Sequence, residues 1–136
     1  MSEIALAWML VERDGTVLLA HRKAERPPFP DLWVLPGDIL KDDESASETL
    51  ARVAHDELDT YVRGEDFVAT LTFNIAGNEY SANVFRVTLG GHPRYRESGD
   101  YTQVAWGAPD APPDPIPDAL RDLLAGKLPE QSAGEA

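Results

Sequence analysis

One acidic side chain falls on the apolar face of a predicted helix, and it is the first candidate for chemistry. Ser45 and Glu48 have the spacing of a capping box, which predicts a helix over 45–58. At about 100° per residue, Glu57 falls inside the apolar stripe of this helix. A desolvated carboxylate is costly unless a cation neutralises it, so we expect either a basic side chain or a metal ion at Glu57. The stripe consists of Ala46, Leu50, Val53 and Ala54.

Two further charged residues flank the stripe. Asp56 and Arg52 lie on the same side of it, and Glu48 precedes Arg52 by four residues, in the order that favours an ion pair within a helix. On this helix alone, the favoured interpretation of Glu57 is one half of a structural salt bridge near a helix end. The helix therefore leaves open whether its acidic end is structural or binds a metal.

The elements that must position this helix are predicted strands. Asp14-Gly15 and Gly77-Asn78 are turn signals between apolar runs, which indicates two hairpins. Strands followed by a helix, more strands and a second helix predict the α/β (α+β) class, with helices packed on a mixed sheet. The predicted strands are 4–12, 16–20, 32–35, 67–75, 80–89 and 102–106, and the second helix is 116–124.

Length and composition limit the class of protein. We predict a single domain over 1–128 and a disordered C-terminal tail over 129–136. The absence of cysteine excludes disulfides and thiolate metal ligands and fits a cytoplasmic protein. A net charge of −12 argues against general nucleic-acid binding. The longest apolar stretch, near 4–11, is too short to span a membrane.

A longer motif surrounds the acidic helix. The segment LWVLPGDILKDDES at 32–45, followed by Arg52 and Asp56-Glu57, resembles the Nudix box, G-x5-E-x7-R-E-U-x-E-E-x-G-U with U an apolar residue. Glu44 matches the first glutamate, Arg52 the arginine, and the pair 56–57 the acidic pair, with no insertions. Asp38, Val53 and Asp59 depart from the pattern, and Asp56 is a shorter acid where the pattern has glutamate.

The resemblance, which covers roughly 4–124, implies both a fold and a cofactor. The fold is a Nudix-like α/β/α sandwich, and the cofactor is Mg²⁺ or Mn²⁺ held by Glu57, Asp56 and Glu44. These hard cations prefer oxygen ligands, and such a metal neutralises a diphosphate and orients a water molecule. Valine at position 53 has no ligand atom, so we expect one of the family's metal sites to be weakened or lost.

Two aspartates stand where the pattern has glycine. Glycine is common where φ is positive, and aspartate tolerates that conformation better than most residues. We therefore expect Asp38 and Asp59 to be compatible with the fold, the latter at a left-handed helix end.

A narrower similarity concerns substrate contacts. The segments 21–27 and 41–45, with a box that lacks the glutamate after its arginine, resemble the GDP-mannose mannosyl hydrolase branch. That resemblance implies that Arg22, Arg26 and Arg52 contact the diphosphate, for which the planar guanidinium is suited. It also implies that water attacks the sugar carbon, whereas without this narrower similarity the attack is expected on phosphorus.

The same residues have structural alternatives. Arg26 is equally compatible with a solvated loop, and Arg52 with an internal ion pair to Glu48 or Glu44. In the later loop, Glu97 and Asp100 are candidates for a metal ligand or general base, or are solvated acids. His92 lies in the same loop without a clear family counterpart. The candidate catalytic residues are Arg52, Glu57, Glu97 and Asp100.

Three functions compete at this point. The first is a metal-dependent hydrolase of a nucleoside diphosphate linked to another moiety, either a nucleotide sugar or a nucleoside triphosphate. The second is a Nudix-like module that binds a nucleotide or a protein without catalysis, as the loss of the glutamate at Val53 suggests. The third is an interaction domain without a ligand site. The sequence does not distinguish a monomer from a homodimer.

Overall fold

Eight strands and two helices make up the part of the chain that the computed structural model describes, namely 3–26, 28–96 and 99–126. The candidate Glu97 and the predicted tail at 129–136 lie outside the described residues. The elements are β1 (Glu3–Leu10), β2 (Glu12–Arg13), β3 (Thr16–Arg22), β4 (Trp33–Val34), β5 (Gly37–Ile39), α1 (Ala46–Leu58), β6 (Val62–Ile75), β7 (Asn78–Leu89), β8 (Tyr101–Gly107) and α2 (Asp118–Leu124).

The described strands form two four-stranded sheets. One has the order β5-β1-β7-β6, in which β1 and β7 are parallel and the other pairs are antiparallel. The other contains β2, β3 and β4, with β8 also paired to β3, and is wholly antiparallel. The mixed character that the sequence predicts is confirmed, and it belongs to the first sheet only.

The two helices pack on opposite faces of the sheets. Side chains of β1 alternate between two apolar clusters, as the pleat requires. Leu6, Trp8 and Leu10 join the cluster that contains α2 residues such as Leu120, whereas the residues between them join the cluster built on α1. This arrangement confirms the predicted α/β/α sandwich. No helix in the described part of the chain is long and apolar enough to cross a membrane.

Helix α1 is built as the sequence predicts. The Ser45 hydroxyl accepts a hydrogen bond from Glu48 N at 3.1 Å, and Ser45 N donates to Glu48 Oε1 at 2.8 Å. The helix ends at Asp59, whose φ of 56° is left-handed. The expectation for Asp59 is therefore confirmed. Leu50 and Val53 are buried beneath the helix, so its apolar stripe faces the sheet.

Two local expectations differ from the structure. Asp38 has no positive φ, because it lies in the short extended strand β5, which pairs Gly37 with Trp8 of β1. A side chain at Gly37 would place its Cβ 2.0 Å from Ala7 O, so the lack of space for a side chain explains the glycine at this position. The hairpin between β6 and β7 turns at Ala76-Gly77, one residue before the predicted turn, because these two residues carry the positive φ values.

Candidate active site at the end of helix α1

Glu57 is half-buried near the end of α1, as its position in the apolar stripe predicts. Its Oε1 accepts a hydrogen bond from Asp100 N at 2.9 Å. Burial raises the pKa of Glu57, and the nearby carboxylates of Asp100, Asp38 and Asp56 raise it further. Within 3–26, 28–96 and 99–126, no basic side chain forms an ion pair with Glu57. The described protein therefore does not supply the cation that this carboxylate requires.

The segment that meets Glu57 is fixed by main-chain hydrogen bonds. Gly99 N donates to Arg96 O at 2.9 Å, and Lys23 N donates to Asp100 O at 3.0 Å. These contacts bring the end of the loop after β7, and the residues that follow β3, to the C-terminal end of α1. His92 of the same loop lies elsewhere, with its Nδ1 3.1 Å from Arg13 Nη1.

Arg26 and Asp100 form an ion pair beside Glu57. Arg26 Nε lies 2.9 Å from Asp100 Oδ1, close enough for charge attraction, yet it is not aligned for a hydrogen bond. The Arg26 side chain is 41% exposed and that of Asp100 24%. Such a pair contributes little to stability, so a substrate anion can compete for the Arg26 guanidinium at small cost.

Arg22 has a different environment from Arg26. It is buried, and its Nε and Nη2 donate to the main-chain oxygen of Arg26 at 3.2 and 3.1 Å. These bonds support the backbone that carries Arg26. The predicted contact of Arg22 with a diphosphate stays a prediction.

The Arg52 guanidinium is held by residues that precede α1. Its Nε and Nη2 donate to the Glu44 carboxylate at 2.9 and 3.0 Å, and its Nη1 donates to Asp38 Oδ2 at 3.0 Å. Nη2 also lies 3.3 Å from Ile39 O. Of the two internal partners that the sequence suggests, the structure has Glu44 and not Glu48. These contacts favour a positioning role for Arg52, while its predicted catalytic and substrate-binding roles stay predictions.

The Glu44 carboxylate accepts several hydrogen bonds from the protein. Besides Arg52, its Oε1 accepts from Lys41 N at 2.9 Å and Thr49 Oγ1 at 2.8 Å. The hydrogen bonds from Arg52, with those from Lys41 and Thr49, lower the pKa of Glu44 to about 2. Glu44 is therefore ionised but occupied, so this arrangement gives no support to the predicted role of Glu44 as a metal ligand.

Asp56 and Val53 are two further box positions on α1, with opposite environments. Asp56 is exposed, and its Oδ1 lies 2.8 Å from His55 Nδ1; this contact lowers the pKa of Asp56. Val53 is only 1% exposed and packs in the apolar cluster with Leu50. At the position where the box has its second glutamate, the chain therefore has core packing instead of a ligand.

The carboxylate oxygens of Glu57 and Asp56 are chemically suited to bind a hard divalent cation. Glu57 and Asp56 are carboxylates on adjacent positions, and oxygen is the ligand that Mg²⁺ and Mn²⁺ prefer. No group of three or more acidic or histidine side chains within the described ranges converges into a preassembled cage. These residues fit a site that is completed by water and by substrate oxygens, as is usual for Mg²⁺.

Two residues at the site are missed by the sequence analysis. Tyr101 is buried at the start of β8, where its hydroxyl accepts from Gly37 N at 3.0 Å and donates to Gly37 O at 3.2 Å. It thereby ties β8 to β5, and burial raises its pKa. Gly99 abuts the Glu57 carboxylate. Neither residue carries a local signal, because each acts on a partner more than 40 positions away.

The fold and this box define the class of the protein. The family model of the NUDIX domain matches residues 2–125, so the chain belongs to the Nudix family of hydrolases, which act on nucleoside diphosphate derivatives. Among curated proteins, the CTP pyrophosphohydrolase of Escherichia coli (strain K12) is 26% identical over 140 residues, which cover 93% of this chain and 98% of that protein.

Solved structures agree with this assignment. The MutT NUDIX hydrolase from Burkholderia pseudomallei superposes with a TM-score of 0.80 at 25% identity, covering 92% of this chain and 98% of the other. The MutT protein from Methanosarcina mazei Go1 also has a TM-score of 0.80, at 20% identity, with 91% of each chain covered. The latter likeness concerns the fold alone.

Proposed function

We propose that the chain is a metal-dependent hydrolase of nucleoside triphosphates. The observation that carries the proposal is Glu57, a half-buried carboxylate whose pKa is raised and which has no cationic partner within the described ranges. Glu57 and Asp56 would hold Mg²⁺ or Mn²⁺. When bound, such an ion neutralises phosphate charge and favours attack by water.

The other residues have separate tasks in this proposal. Arg26 exchanges its exposed ion pair with Asp100 for a phosphate group of the substrate. Asp100, released from Arg26, accepts a proton from the attacking water as a general base. Arg52 and Glu44 hold the loop before α1 against the helix and so set the direction of the acidic face.

The substrate class is supported by a relative. The curated relative is named a CTP pyrophosphohydrolase, which cleaves a nucleoside triphosphate. In the corresponding reaction here, water adds to the α- or the β-phosphorus, the bond from that phosphorus to the oxygen bridging the two breaks, and the products are a nucleoside monophosphate and inorganic diphosphate. A nucleotide sugar attacked at carbon would instead release the sugar and a nucleoside diphosphate.

A turnover screen tests the proposal. Purified protein with Mg²⁺ or Mn²⁺ is offered the common nucleoside triphosphates, including CTP, together with nucleotide sugars, and the products are separated by ion-exchange chromatography. We expect inorganic diphosphate and a nucleoside monophosphate from at least one triphosphate, and the product that carries ¹⁸O from labelled water identifies the phosphorus attacked. Release of free sugar as the main reaction would overturn the proposed substrate, and hydrolysis that resists removal of all divalent metal would overturn the mechanism.

One observation favours a second function, a nucleotide-binding module without catalysis. Val53 is buried in the core where the box has a glutamate, and a purely apolar contact there serves folding and not chemistry. Calorimetric binding of a nucleoside triphosphate with Mg²⁺, without turnover of any compound in the screen, would establish this alternative.

A further inference from the structure

Gly99 touches the carboxylate of Glu57, and there is no space for any side chain between them. A Cβ at position 99 would lie 2.1 Å from Glu57 Oε1, 3.1 Å from the carboxyl carbon of Glu57 and 3.3 Å from Arg96 O. The backbone at Gly99 is not in the left-handed region, so its φ does not require glycine. A side chain at position 99 would therefore have to displace the Glu57 carboxylate, which is the far end of a flexible side chain.

The missing side chain lets the carboxylate reach the main chain. Because only hydrogen occupies position 99, Glu57 Oε1 approaches Asp100 N to 2.9 Å and accepts its hydrogen bond. The segment cannot easily retreat, since Gly99 N is bonded to Arg96 O and Asp100 O to Lys23 N. Among the described residues, hydrogen bonds to Glu57 reach Oε1 alone.

We propose that Gly99 is a positioning residue that sets the orientation of Glu57. By admitting Oε1 to the amide of Asp100, it leaves Oε2 as the oxygen that is presented to a divalent cation. The cation part of this inference rests on the function proposed above. The contact part, between Gly99 and the Glu57 side chain, rests only on the geometry.

Gly99→Ala is the direct test. The added methyl group displaces the carboxylate from Asp100 N, so we expect Mn²⁺ affinity, measured by isothermal titration calorimetry, to fall about 10- to 100-fold, the range seen when the support of a metal ligand is removed. Gly91→Ala is the matched control on the same loop, because its Cβ would lie 3.6 Å from Thr60 Oγ1, an ordinary contact. This control should bind Mn²⁺ as the wild type does.

A double-mutant cycle separates the contact from a general effect on folding. In the wild-type background, Gly99→Ala should lower the thermal midpoint in metal-free buffer, whereas in a Glu57→Ala background the same change should have almost no effect. Glu57→Asp, with a side chain shorter by one methylene, should recover part of the Mn²⁺ affinity that Gly99→Ala loses.

The outcomes distinguish this inference from the proposed function. Equal Mn²⁺ affinity of Gly99→Ala and the wild type would overturn the positioning role, and so would an equal drop in thermal midpoint with and without the Glu57 carboxylate. If the wild type binds no Mn²⁺ and hydrolyses nothing, the proposed function and the cation part both fail. The coupling in thermal midpoint then still decides whether Gly99 positions the Glu57 side chain.

Discussion

The acidic residues that precede helix α1 and those at its C-terminal end are in opposite electrostatic environments. At the N-terminal end, Glu44 and Asp38 receive hydrogen bonds from the guanidinium of Arg52. At the C-terminal end, Glu57 receives one main-chain hydrogen bond from Asp100, and no cationic side chain forms an ion pair with it in the part of the chain that the structure describes. The pKa of Glu44 is lowered to about 2, whereas that of Glu57 is raised.

This contrast shows how a protein separates structural carboxylates from reactive ones. The Glu44 charge is compensated within the chain, and both of its oxygens accept hydrogen bonds from the protein, so its side chain stabilises the loop before the helix. The Glu57 charge is uncompensated and partly desolvated, which costs stability until a cation binds. Ion pairs with Arg52 compensate the carboxylates before the helix, whereas the carboxylate of Glu57 near its C-terminal end remains available to a cation.

The largest effect should come from Glu57→Gln. Gln retains an oxygen that accepts from Asp100 N but loses the charge, so we expect activity with Mg²⁺ to fall about 10³-fold, or about 4 kcal/mol in the barrier. In metal-free buffer at neutral pH this variant should unfold at a higher temperature than the wild type, because an uncompensated charge is removed. Steady-state rates and thermal scans check both, and unchanged activity would show that Glu57 is not a ligand.

The second largest effect should come from Arg52→Ala, which removes the cation that compensates Glu44 and Asp38. Arg52→Ala leaves the carboxylates of Glu44 and Asp38 without their guanidinium, so we expect a loss of about 3 kcal/mol in the free energy of unfolding. Arg52→Lys should restore only part of this, since an ammonium cannot reproduce the forked contact. Urea denaturation measures the loss, and Arg63→Ala, on an exposed arginine of β6, is the control. A loss no greater than that of the control would contradict the assigned positioning role.

The pH dependence of stability should have opposite signs for the two glutamates. Glu44 has a lowered pKa, so its contribution is present above its ordinary value of 4.5 and is lost as the pH falls toward about 2. Glu57 has a raised pKa, so its contribution is present below 4.5 and is lost as the pH rises through its folded value. Thermal midpoints of Glu44→Gln should therefore fall less than those of the wild type between pH 4.5 and 2. Parallel curves would refute this assignment.

The smallest effect should come from Asp56→Asn. Asp56 is exposed and its carboxylate contacts His55, so we expect its loss to weaken Mn²⁺ binding only about threefold, a difference of less than 1 kcal/mol. Titration calorimetry of this variant beside Glu57→Gln ranks the two carboxylates. If Asp56→Asn is the more damaging change, the central ligand has been assigned to the wrong residue.

Local features of this protein were predictable from the sequence because their causes lie within a few residues. The cap of Ser45 on α1 and the left-handed end at Asp59 each depend on the helix itself. The apolar stripe placed Glu57 at a half-buried position, since helical periodicity alone sets which face a side chain occupies. The order of strands and helices predicted helices packed on a mixed sheet, and the resemblance to the Nudix box implied the α/β/α sandwich.

Tertiary structure alone decided which charges are compensated. Arg52 meets Asp38 from 14 positions away, and the amide of Asp100 meets Glu57 from 43 positions away. No periodicity or turn signal encodes these contacts, because the first depends on how β5 packs against α1 and the second on where the segment after β7 meets the helix end. The requirement for glycine at position 99 exists only because that loop touches a carboxylate, so only the folded chain shows it.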